Sequence, residues 1–538
     1  MTRRTILFGD AAAPNGGQGY FPADIKKAYN IPSNLDGSGQ TIGILEFSNG
    51  YNLRDATQFW QSHGITPPKV SFVSVDGTRN DNGSSPDDEE ATLDLQWAGA
   101  IAPGAHIVVY EANGGSTYAE FAAAITRTLQ YILDDTQYQP SVLSISYGDG
   151  ESSFEQSDMD AWARLIQQLD AKGVTVCISS GDQGAYGLHD TTGPKTRHAD
   201  APASLPFAIA VGGTSLNPNG TETAWTYLGP QNGGATGGGF SAIFDKPAYQ
   251  NGISGSMRGL PDIACNADPA TGYQIIFQRQ PAVVGGTSVS CPVFAAVIAL
   301  ANQQREQNGL PPLSGVACAL YASEAQSAFR DITTGNNSFN GVQGYDAAPG
   351  WDACTGFGSF DATALINYLS QPNVGRTPTS PAPSTSSNPS GSNPEPATPE
   401  PAPLRGDGGA NPTLPSPPRS DKGVLVRVEA VIDKVEADEH TSDGSHQQLL
   451  VRDVQVLKVW NGTQEDIDSQ AYVAIRYGDA DGLPSQVPGL APGQSITLQG
   501  RYIPAADAYP SAANPGYAVI DETHHPFGFV IYNGQMYQ

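Results

Sequence analysis

Val142-Leu-Ser-Ile-Ser-Tyr147 and Val174-Thr-Val-Cys-Ile-Ser179 are two short apolar runs separated by a segment of helical pattern at about 155–171. The alternation continues toward the N terminus, with strand patterns at 41–47 and 106–110 and helix patterns at 88–100 and 117–134. Apolar strands separated by helices of this length predict a parallel sheet covered by helices on both faces, which is an α/β fold. In such sheets we expect the functional side chains at the carboxyl ends of the strands.

The chain has 538 residues and a formal net charge of −27. This charge has the wrong sign for a nucleic-acid or anionic-membrane partner, and it indicates either simple solubility or work at low pH. No run of about 18 apolar residues predicts a membrane span, and the apolar run after Arg4 is too short for a signal peptide. The five cysteines show no zinc-site spacing, and Cys177 and Cys291 are predicted to be buried hydrophobic residues.

The composition changes sharply between residues 371 and 422, where Pro, Ser and Thr dominate. Such a stretch cannot bury a core and predicts an extended linker. It separates a main domain at 20–370, preceded by an N-terminal extension at 1–19, from a tail at 423–538. Short apolar runs between Gly, Asp and Pro turns predict a small all-β barrel or sandwich for the tail.

Two tail segments, His446-Gln-Gln-Leu449 and Thr523-His-His-Pro-Phe-Gly-Phe-Val530, resemble small bacterial OB-like domains of unknown function. Their three histidines could bind a metal, but ordinary structural histidines are the favoured interpretation. The sequence indicates no ligand for this domain.

The segment Val284-Gly-Gly-Thr-Ser-Val-Ser-Cys-Pro292 leads into a long apolar helix pattern. Its two glycines permit a tight turn just before Ser288, and Pro292 is expected in the first helical turn, where a missing N–H costs nothing. A serine at such a position is most often a helix N-cap. The position also suits a nucleophile, because free backbone N–H groups and the helix dipole can stabilise an oxyanion.

Three carboxylates are candidate partners for that serine. Glu90 and Asp94 have the spacing that places both on one face of a helix, although a solvated acidic face would show the same spacing. Asp182 directly follows an apolar strand, where an ordinary turn is the alternative. Histidine is the usual base for a serine. His63-Gly-Ile-Thr is superficially similar to a subtilisin motif, but the paired prolines after it exclude the helix that follows in subtilisins.

Taken together, these residues resemble the sedolisin family of serine-carboxyl peptidases, and in particular its kumamolisin-like members. The resemblance covers about 20–370 and is carried by separate motifs in the family's order. The motifs are Glu90-x-x-x-Asp94, Ser180-Gly-Asp182, Ala203-Ser-Leu-Pro206, Ala210-Val-Gly-Gly-Thr214, Gly237-Gly-Gly-Phe-Ser241, Gly286-Thr-Ser288 and Gly350-Trp-Asp-Ala-Cys-Thr-Gly-Phe-Gly358. The resemblance implies a subtilisin-like fold and an acid-active endopeptidase in which Glu90 replaces the usual histidine.

The resemblance also implies a role for each residue. Ser288 would be the nucleophile, Glu90 would take and return its proton, and Asp94 would share a proton with Glu90. Asp182 would complete the oxyanion hole as a neutral acid, so we expect activity to peak below about pH 5.

One structural Ca²⁺ near the end of the main domain is a further implication of the resemblance. Its ligands would be the carboxylates of Asp331 and Asp352 and the carbonyl oxygens of Ile332, Ala348 and Gly350. All five donors are oxygens, as a hard cation requires. The alternative is two loop aspartates without a metal.

Two features depart from the family pattern. The family's outer acid network contains a Glu, matched by Glu46, and a Trp, which Tyr147 replaces, so we expect a tuned rate or pH optimum. Family members also have a large N-terminal pro-segment, whereas 19 residues precede Tyr20. Either the chain begins after processing or the protein folds without that segment.

We therefore predict a monomeric enzyme, extracellular or otherwise extracytoplasmic, that cleaves proteins or peptides. One rival is a histidine-dependent subtilisin-like peptidase that uses His63. Another is a catalytically silent binding protein that keeps the fold and acts through its tail. The presence of all four expected catalytic residues argues against the silent protein.

Overall fold

The computed structural model describes residues 14–374 except 191, 194 and 229–232, and residues 424–537 except 442–443, 461–466, 478–482, 484–485, 506–515, 522, 524–528 and 533–534. Contacts divide the chain into two compact units, Met1–Thr398 and Pro399–Gln538. The predicted linker at 371–422 lies almost wholly outside the described residues, so its extended character stays a prediction.

The first unit is built on a parallel sheet. In chain order its strands are β1 (Thr41–Phe47), β2 (Lys69–Ser74), β3 (His106–Ala112), β4 (Val142–Ile145), β5 (Asp149–Gly150), β6 (Thr175–Ser179), β7 (Asp200–Ala201), β8 (Ile209–Leu216), β9 (Glu222–Ala224), β10 (Thr226–Tyr227), β11 (Gly234–Ala235), β12 (Gly239–Asp245), β13 (Met257–Leu260), β14 (Ile263–Asn266), β15 (Tyr273–Phe277), β16 (Gln280–Val284), β17 (Phe329–Arg330) and β18 (Ser359–Phe360). The main sheet has the order β14-β8-β6-β4-β1-β3-β2, in which all neighbours are parallel, and β9 pairs antiparallel with β8. The remaining strands form short two-stranded pairs.

Helices cover both faces of this sheet. They are α1 (Pro14–Gly17), α2 (Pro22–Ala28), α3 (Leu53–Ser62), α4 (Glu89–Ile101), α5 (Tyr118–Asp134), α6 (Gln156–Ala171), α7 (Thr287–Gln307), α8 (Val316–Leu320) and α9 (Ala362–Leu369). Along β3, Ile107 and Val109 pack into the core that contains α4 and α7, whereas Val108 and Tyr110 pack into the core that contains α5 and α6. Successive strand residues point to opposite faces, so each core takes every second side chain. The predicted α/β fold with helices on both faces is confirmed.

The prediction that Pro292 lies in the first turn of its helix was wrong. Because α7 begins at Thr287, Pro292 lies inside the helix and beyond its first turn. A proline at that position removes the N–H that would bond the carbonyl of Ser288. The hydroxyl of Ser146 replaces this donor, with its Oγ 3.1 Å from the carbonyl oxygen of Ser288. A side chain from β4's end thus completes the first turns of α7.

Cys177 and Cys291 are fully buried, as predicted, and all five cysteines are free. Within the described ranges, no helix combines the length and hydrophobicity needed to cross a membrane.

The second unit is an all-β barrel. Its strands are β19 (Val424–Val435), β20 (Glu439–Thr441), β21 (Gly444–Trp460), β22 (Gln470–Tyr477), β23 (Ser495–Ile503), β24 (Ala518–Asp521), β25 (Phe529–Tyr532) and β26 (Gln535–Tyr537). The ring β19-β21-β22-β24-β23 closes because β23 pairs back to β19. Alternate residues of β19, beginning with Val426 and Val428, fill the interior. The closed five-stranded ring confirms the all-β prediction and is consistent with an OB-like domain. His524 and His525 lie outside the described residues, so a metal role for them is untested.

Candidate active site

The carboxyl ends of β1, β4 and β6 lie side by side, because these strands are neighbours in the parallel sheet. β1 carries Glu46 near its end, Ser146 and Tyr147 directly follow β4, and Asp182 follows β6. Parallel sheets present functional side chains at this edge. Segments that are far apart in sequence are thereby brought to one place.

The start of α7 contributes Ser288. Gly286 has φ 99°, in the region that favours glycine, and the helix begins at the next residue. Gly286 is therefore the N-cap, and Ser288 is the second residue of the helix rather than its cap. The Ser288 side chain is buried, and its Oγ donates to the carbonyl oxygen of Ser146 at 3.2 Å. A serine hydroxyl is thus held in the first turn of a helix, where backbone N–H groups have no partner four residues earlier in the helix.

Helix α4 presents the predicted acidic pair. Glu90 is 5% exposed and Asp94 is 0% exposed, so the alternative of a solvated acidic face is wrong. α4 packs against α7, which carries Ser288. The Oγ of Ser146 lies 3.0 Å from Oδ1 of Asp94 as well as 3.1 Å from the carbonyl oxygen of Ser288. Ser146 therefore contacts both Asp94 of the acidic pair and the backbone of Ser288, and we call this contact the junction of the site.

A second layer of acid lies behind this pair. The hydroxyl of Tyr147 donates to Oε2 of Glu46 at 2.6 Å. Burial raises the pKa of Glu46 well above its ordinary value, and the nearby carboxyls of Asp94 and Glu90 raise it further. A phenol in place of the family's indole thus still supplies a hydrogen-bond donor to this carboxyl.

Asp182 is attached to the start of α7. Its Oδ1 accepts from the backbone N–H of Thr287 at 2.7 Å and from the Thr287 hydroxyl at 2.9 Å. The backbone N–H of Gly181 in turn donates to the Thr287 hydroxyl at 3.1 Å. The residue before Ser288 therefore fixes the Asp182 carboxyl, which is more than the ordinary turn role that its sequence position also allowed.

None of the histidines in the first unit has a described contact with Ser288. His63 follows the last residue of α3, bonds the side chain of Gln274 at 2.8 Å and packs against the rings of Phe21 and Phe59. Burial lowers the pKa of its imidazole. His106 bonds Ser71, His189 pairs with Asp149, and His198 bonds Ser152 and Thr196.

Sequence reasoning missed Ser146 and Glu111. Ser146 directly follows an apolar strand of this sheet, and that position is the signal that could have identified it. Glu111 lies beside Glu46 in the β1–β3 register, and burial raises its pKa to about 8. The signal that could have found it is the same one, an acid near the end of an apolar strand.

The residues predicted to bind calcium come together in two adjoining loops. Oδ2 of Asp331 accepts from the backbone N–H of Gly350 at 2.9 Å, and Oδ2 of Asp352 accepts from that of Ala348 at 2.8 Å. Asp352 is largely buried, and this burial raises its pKa. Among the described residues, the carbonyl oxygens of Ile332, Ala348 and Gly350 accept no hydrogen bond.

Comparison with known proteins agrees with this geometry. The Subtilase family matches residues 71–345. Kumamolisin from Bacillus sp. (strain MN-32) is 40% identical over 375 residues, which cover 67% of this chain and 64% of kumamolisin. Sedolisin from Pseudomonas sp. (strain 101) is 30% identical over 379 residues, which cover 66% of this chain and 62% of sedolisin.

A solved structure gives the same result. Pseudomonas sedolisin, a serine-carboxyl proteinase complexed with two molecules of pseudo-iodotyrostatin, matches with a TM-score of 0.58 at 29% identity. The match covers 65% of this chain and 98% of that structure. The matched part spans less than two thirds of the length of the curated relatives. This chain belongs to the subtilase family and, within it, to the kumamolisin-like sedolisins.

Proposed function

We propose that this protein is a serine-carboxyl endopeptidase that hydrolyses peptide bonds of proteins at acid pH. The observation that carries the proposal is the junction at Ser146, which joins Ser288 to the buried acidic pair on α4. A serine among buried acids, with no described histidine contact, needs a carboxylate to move its proton.

Glu90 serves as the general base in this mechanism. It accepts the proton of the Ser288 hydroxyl as Oγ attacks the peptide carbonyl, and it then protonates the leaving amine. Asp94 lies one helical turn further along α4 and holds the proton that the two carboxyls share. The bond from Ser146 keeps Asp94 in place while Glu90 changes its charge.

Asp182 serves as the oxyanion-hole acid. The two bonds from Thr287 occupy Oδ1, so a proton on Oδ2 can be donated to the oxygen of the tetrahedral intermediate. An ionised Asp182 would repel that oxyanion. The rate should therefore fall as the pH rises above about 5.

A structural calcium ion fits the loops at the end of the first unit. Two carboxylates and three carbonyl oxygens, those of Ile332, Ala348 and Gly350, which accept no hydrogen bond from any described residue, are a donor set suited to a hard cation. When bound, the ion would neutralise the partly buried charge of Asp352 and would take no part in the hydrolysis. Asp331 and Asp352 would hold it.

The proposed substrates and location follow from the peptidase assignment. The enzyme acts on protein or peptide substrates as a monomer, and an acid optimum suits an extracellular or otherwise extracytoplasmic site. The relatives named sedolisin and kumamolisin support the class of reaction.

Casein hydrolysis measured from pH 2 to pH 8 tests the proposal. Ser288→Ala and Glu90→Gln should each reduce kcat by several orders of magnitude, and His63→Ala should leave it nearly unchanged. Circular dichroism of each variant checks that the fold is retained.

Three other outcomes would each contradict part of this scheme. Loss of activity in His63→Ala but not in Glu90→Gln would establish the histidine-dependent rival. Full activity at pH 8 would remove the neutral-acid role of Asp182. No hydrolysis by the wild type at any pH, on casein or on a mixed peptide library, would favour a silent binding protein.

A further inference from the structure

The loop that follows β1 is held by acidic side chains. The backbone N–H of Asn49 donates to Oε1 of Glu111 at 2.9 Å, and the backbone N–H of Gly50 donates to Oδ1 of Asp88 at 2.8 Å. Ser48, just before them, has φ 59°, in the left-handed region that non-glycine residues rarely occupy. Two successive N–H groups aimed at two carboxyls therefore fix an otherwise unfavourable backbone turn.

This loop reaches the proposed acid network through one side chain. Asn49 donates from Nδ2 to the hydroxyl of Tyr147, and that hydroxyl donates to Glu46 at 2.6 Å. A phenol oxygen can accept one bond while it donates another, so the direction of the chain is consistent. The connection runs from Glu111 through Asn49 and Tyr147 to Glu46.

We propose that Glu111 is a positioning residue for this acid network, acting as a neutral carboxylic acid that orients Asn49 and, through it, Tyr147 and Glu46. The inference rests on the proposed peptidase function, because the network is useful only to a base such as Glu90. It also explains how a tyrosine serves where the family has a tryptophan. The phenol needs an external partner to set its orientation, and Asn49 is that partner.

The surroundings of Glu111 favour its neutral form. It is 1% exposed, and its Oε2 is buried without a hydrogen-bond partner among the described residues. The titratable groups that interact with it are Asp88 and Asp81 before α4, Glu46 on β1, and the phenols of Tyr51 and Tyr147. All of them are acids, so each ionisation discourages the next.

The pH dependence has a definite sign. Burial raises the pKa of Glu111 to about 8, so the folded protein holds this proton more tightly than the unfolded chain does. The resulting stability is fully present below about pH 4.5 and is lost as the pH rises through 8. Acid therefore preserves the loop, and mild alkali should disrupt it.

Peptide hydrolysis at pH 4 tests the positioning role. Glu111→Gln keeps a neutral acceptor for the Asn49 N–H and should retain kcat within about twofold. Glu111→Leu removes the acceptor and should lower kcat by roughly tenfold to 100-fold with little change in KM, as expected for a misplaced acid network. Asn49→Ala should produce the same loss, because it cuts the chain one step later at a half-buried position that tolerates the change.

A double variant tests whether Glu111 and Asn49 act through one connection, even if one of the single variants loses activity because it folds poorly. Glu111→Leu combined with Asn49→Ala should lose no more than either alone, since both interrupt one chain. Additive losses, or a Glu111→Gln variant as impaired as Glu111→Leu, would overturn the proposal.

An alkaline transition supplies a readout that does not need activity. In the Ser288→Ala background, the near-UV circular dichroism transition above pH 7 should move to higher pH in Glu111→Gln. Asp160→Asn is the matched control, because Asp160 is a buried acid on α6, across the sheet from α7. It should move the same transition in that background, and in the enzyme that keeps Ser288 it should leave kcat unchanged. An unmoved transition in Glu111→Gln would contradict the inference, whereas an active Ser288→Ala enzyme would contradict the proposed function alone.

Discussion

Ser146→Ala is the substitution that best probes the junction of the site. The serine Oγ lies 3.0 Å from Oδ1 of Asp94 and 3.1 Å from the carbonyl oxygen of Ser288. A hydrogen bond between a hydroxyl and a neutral acid contributes about 0.5–1.5 kcal/mol, and each 1.4 kcal/mol corresponds to about tenfold in rate. If this bond holds Asp94 in place during proton transfer, kcat should fall by roughly twofold to tenfold.

The same substitution should also reduce stability. Pro292 offers no N–H to the carbonyl of Ser288, so alanine at position 146 leaves that buried carbonyl without its donor. An unsatisfied buried acceptor costs about 1–3 kcal/mol. Urea unfolding at pH 4, followed by tryptophan fluorescence in the Ser288→Ala background to prevent self-digestion, should show a loss of this size.

Ser144→Ala is the matched control for this experiment. Ser144 is also buried at β4, but the bond that its hydroxyl donates within the described part of the chain runs to the sulfur of Cys291 at 3.4 Å. Its loss should leave kcat unchanged and cost less than about 1 kcal/mol of unfolding free energy. Equal kcat for Ser146→Ala and the wild type would refute the junction role, as would an equal kcat loss in both serine variants.

Four further predictions concern other parts of the chain. Burial raises the pKa of Asp160 from 3.8 to about 7, so the unfolding free energy should fall by roughly 3 kcal/mol between pH 4 and 7, and Asp160→Asn should remove this slope in urea titrations. Asp182→Asn keeps a neutral donor and should retain some turnover, with a flatter decline in kcat above pH 5 than the wild type. A chelator at pH 6 should lower the Tm of the wild type but not that of Asp331→Ala, because only the wild type would have the ion to lose. Truncation after Val374 should leave peptide turnover nearly unchanged, and a large rise would mean that the tail covers the cleft. Cutting earlier would remove the carbonyl of Val374, which accepts from Arg305.

Local sequence patterns were sufficient for much of the fold and of the candidate site. The helix at α4 was predicted within a residue or two of its bounds because its apolar residues recur at helical spacing, although every residue of this helix is buried. The Glu90–Asp94 pair was visible for the same reason, since residues four apart share a helix face. Asp182 and Ser288 were found because each lies at a boundary, one after an apolar strand and one at the start of a glycine-flanked helix.

Contacts between distant segments were not readable in this way. Ser146 gained importance only when β4 and the start of α7 were brought together, and Pro292 proved to lie beyond the first turn of its helix. The partnership of Glu111 with Asn49 depends on β1 and β3 being neighbours in register. The spacing of Glu90 and Asp94 likewise did not show whether this pair is buried or exposed to solvent.

The sequence by itself therefore determined the α/β class and the β-rich tail, because periodicity and turn chemistry act over a few residues. Local patterns also singled out the four candidate catalytic residues, and the resemblance to the sedolisin family implied their roles. Only the tertiary structure decided which hydroxyl joins Ser288 to Asp94 and how far the buried acid layer extends. Strand order and register bring together groups that are tens of residues apart, and burial then changes their charge. Neither effect produces a periodic pattern in the amino-acid sequence.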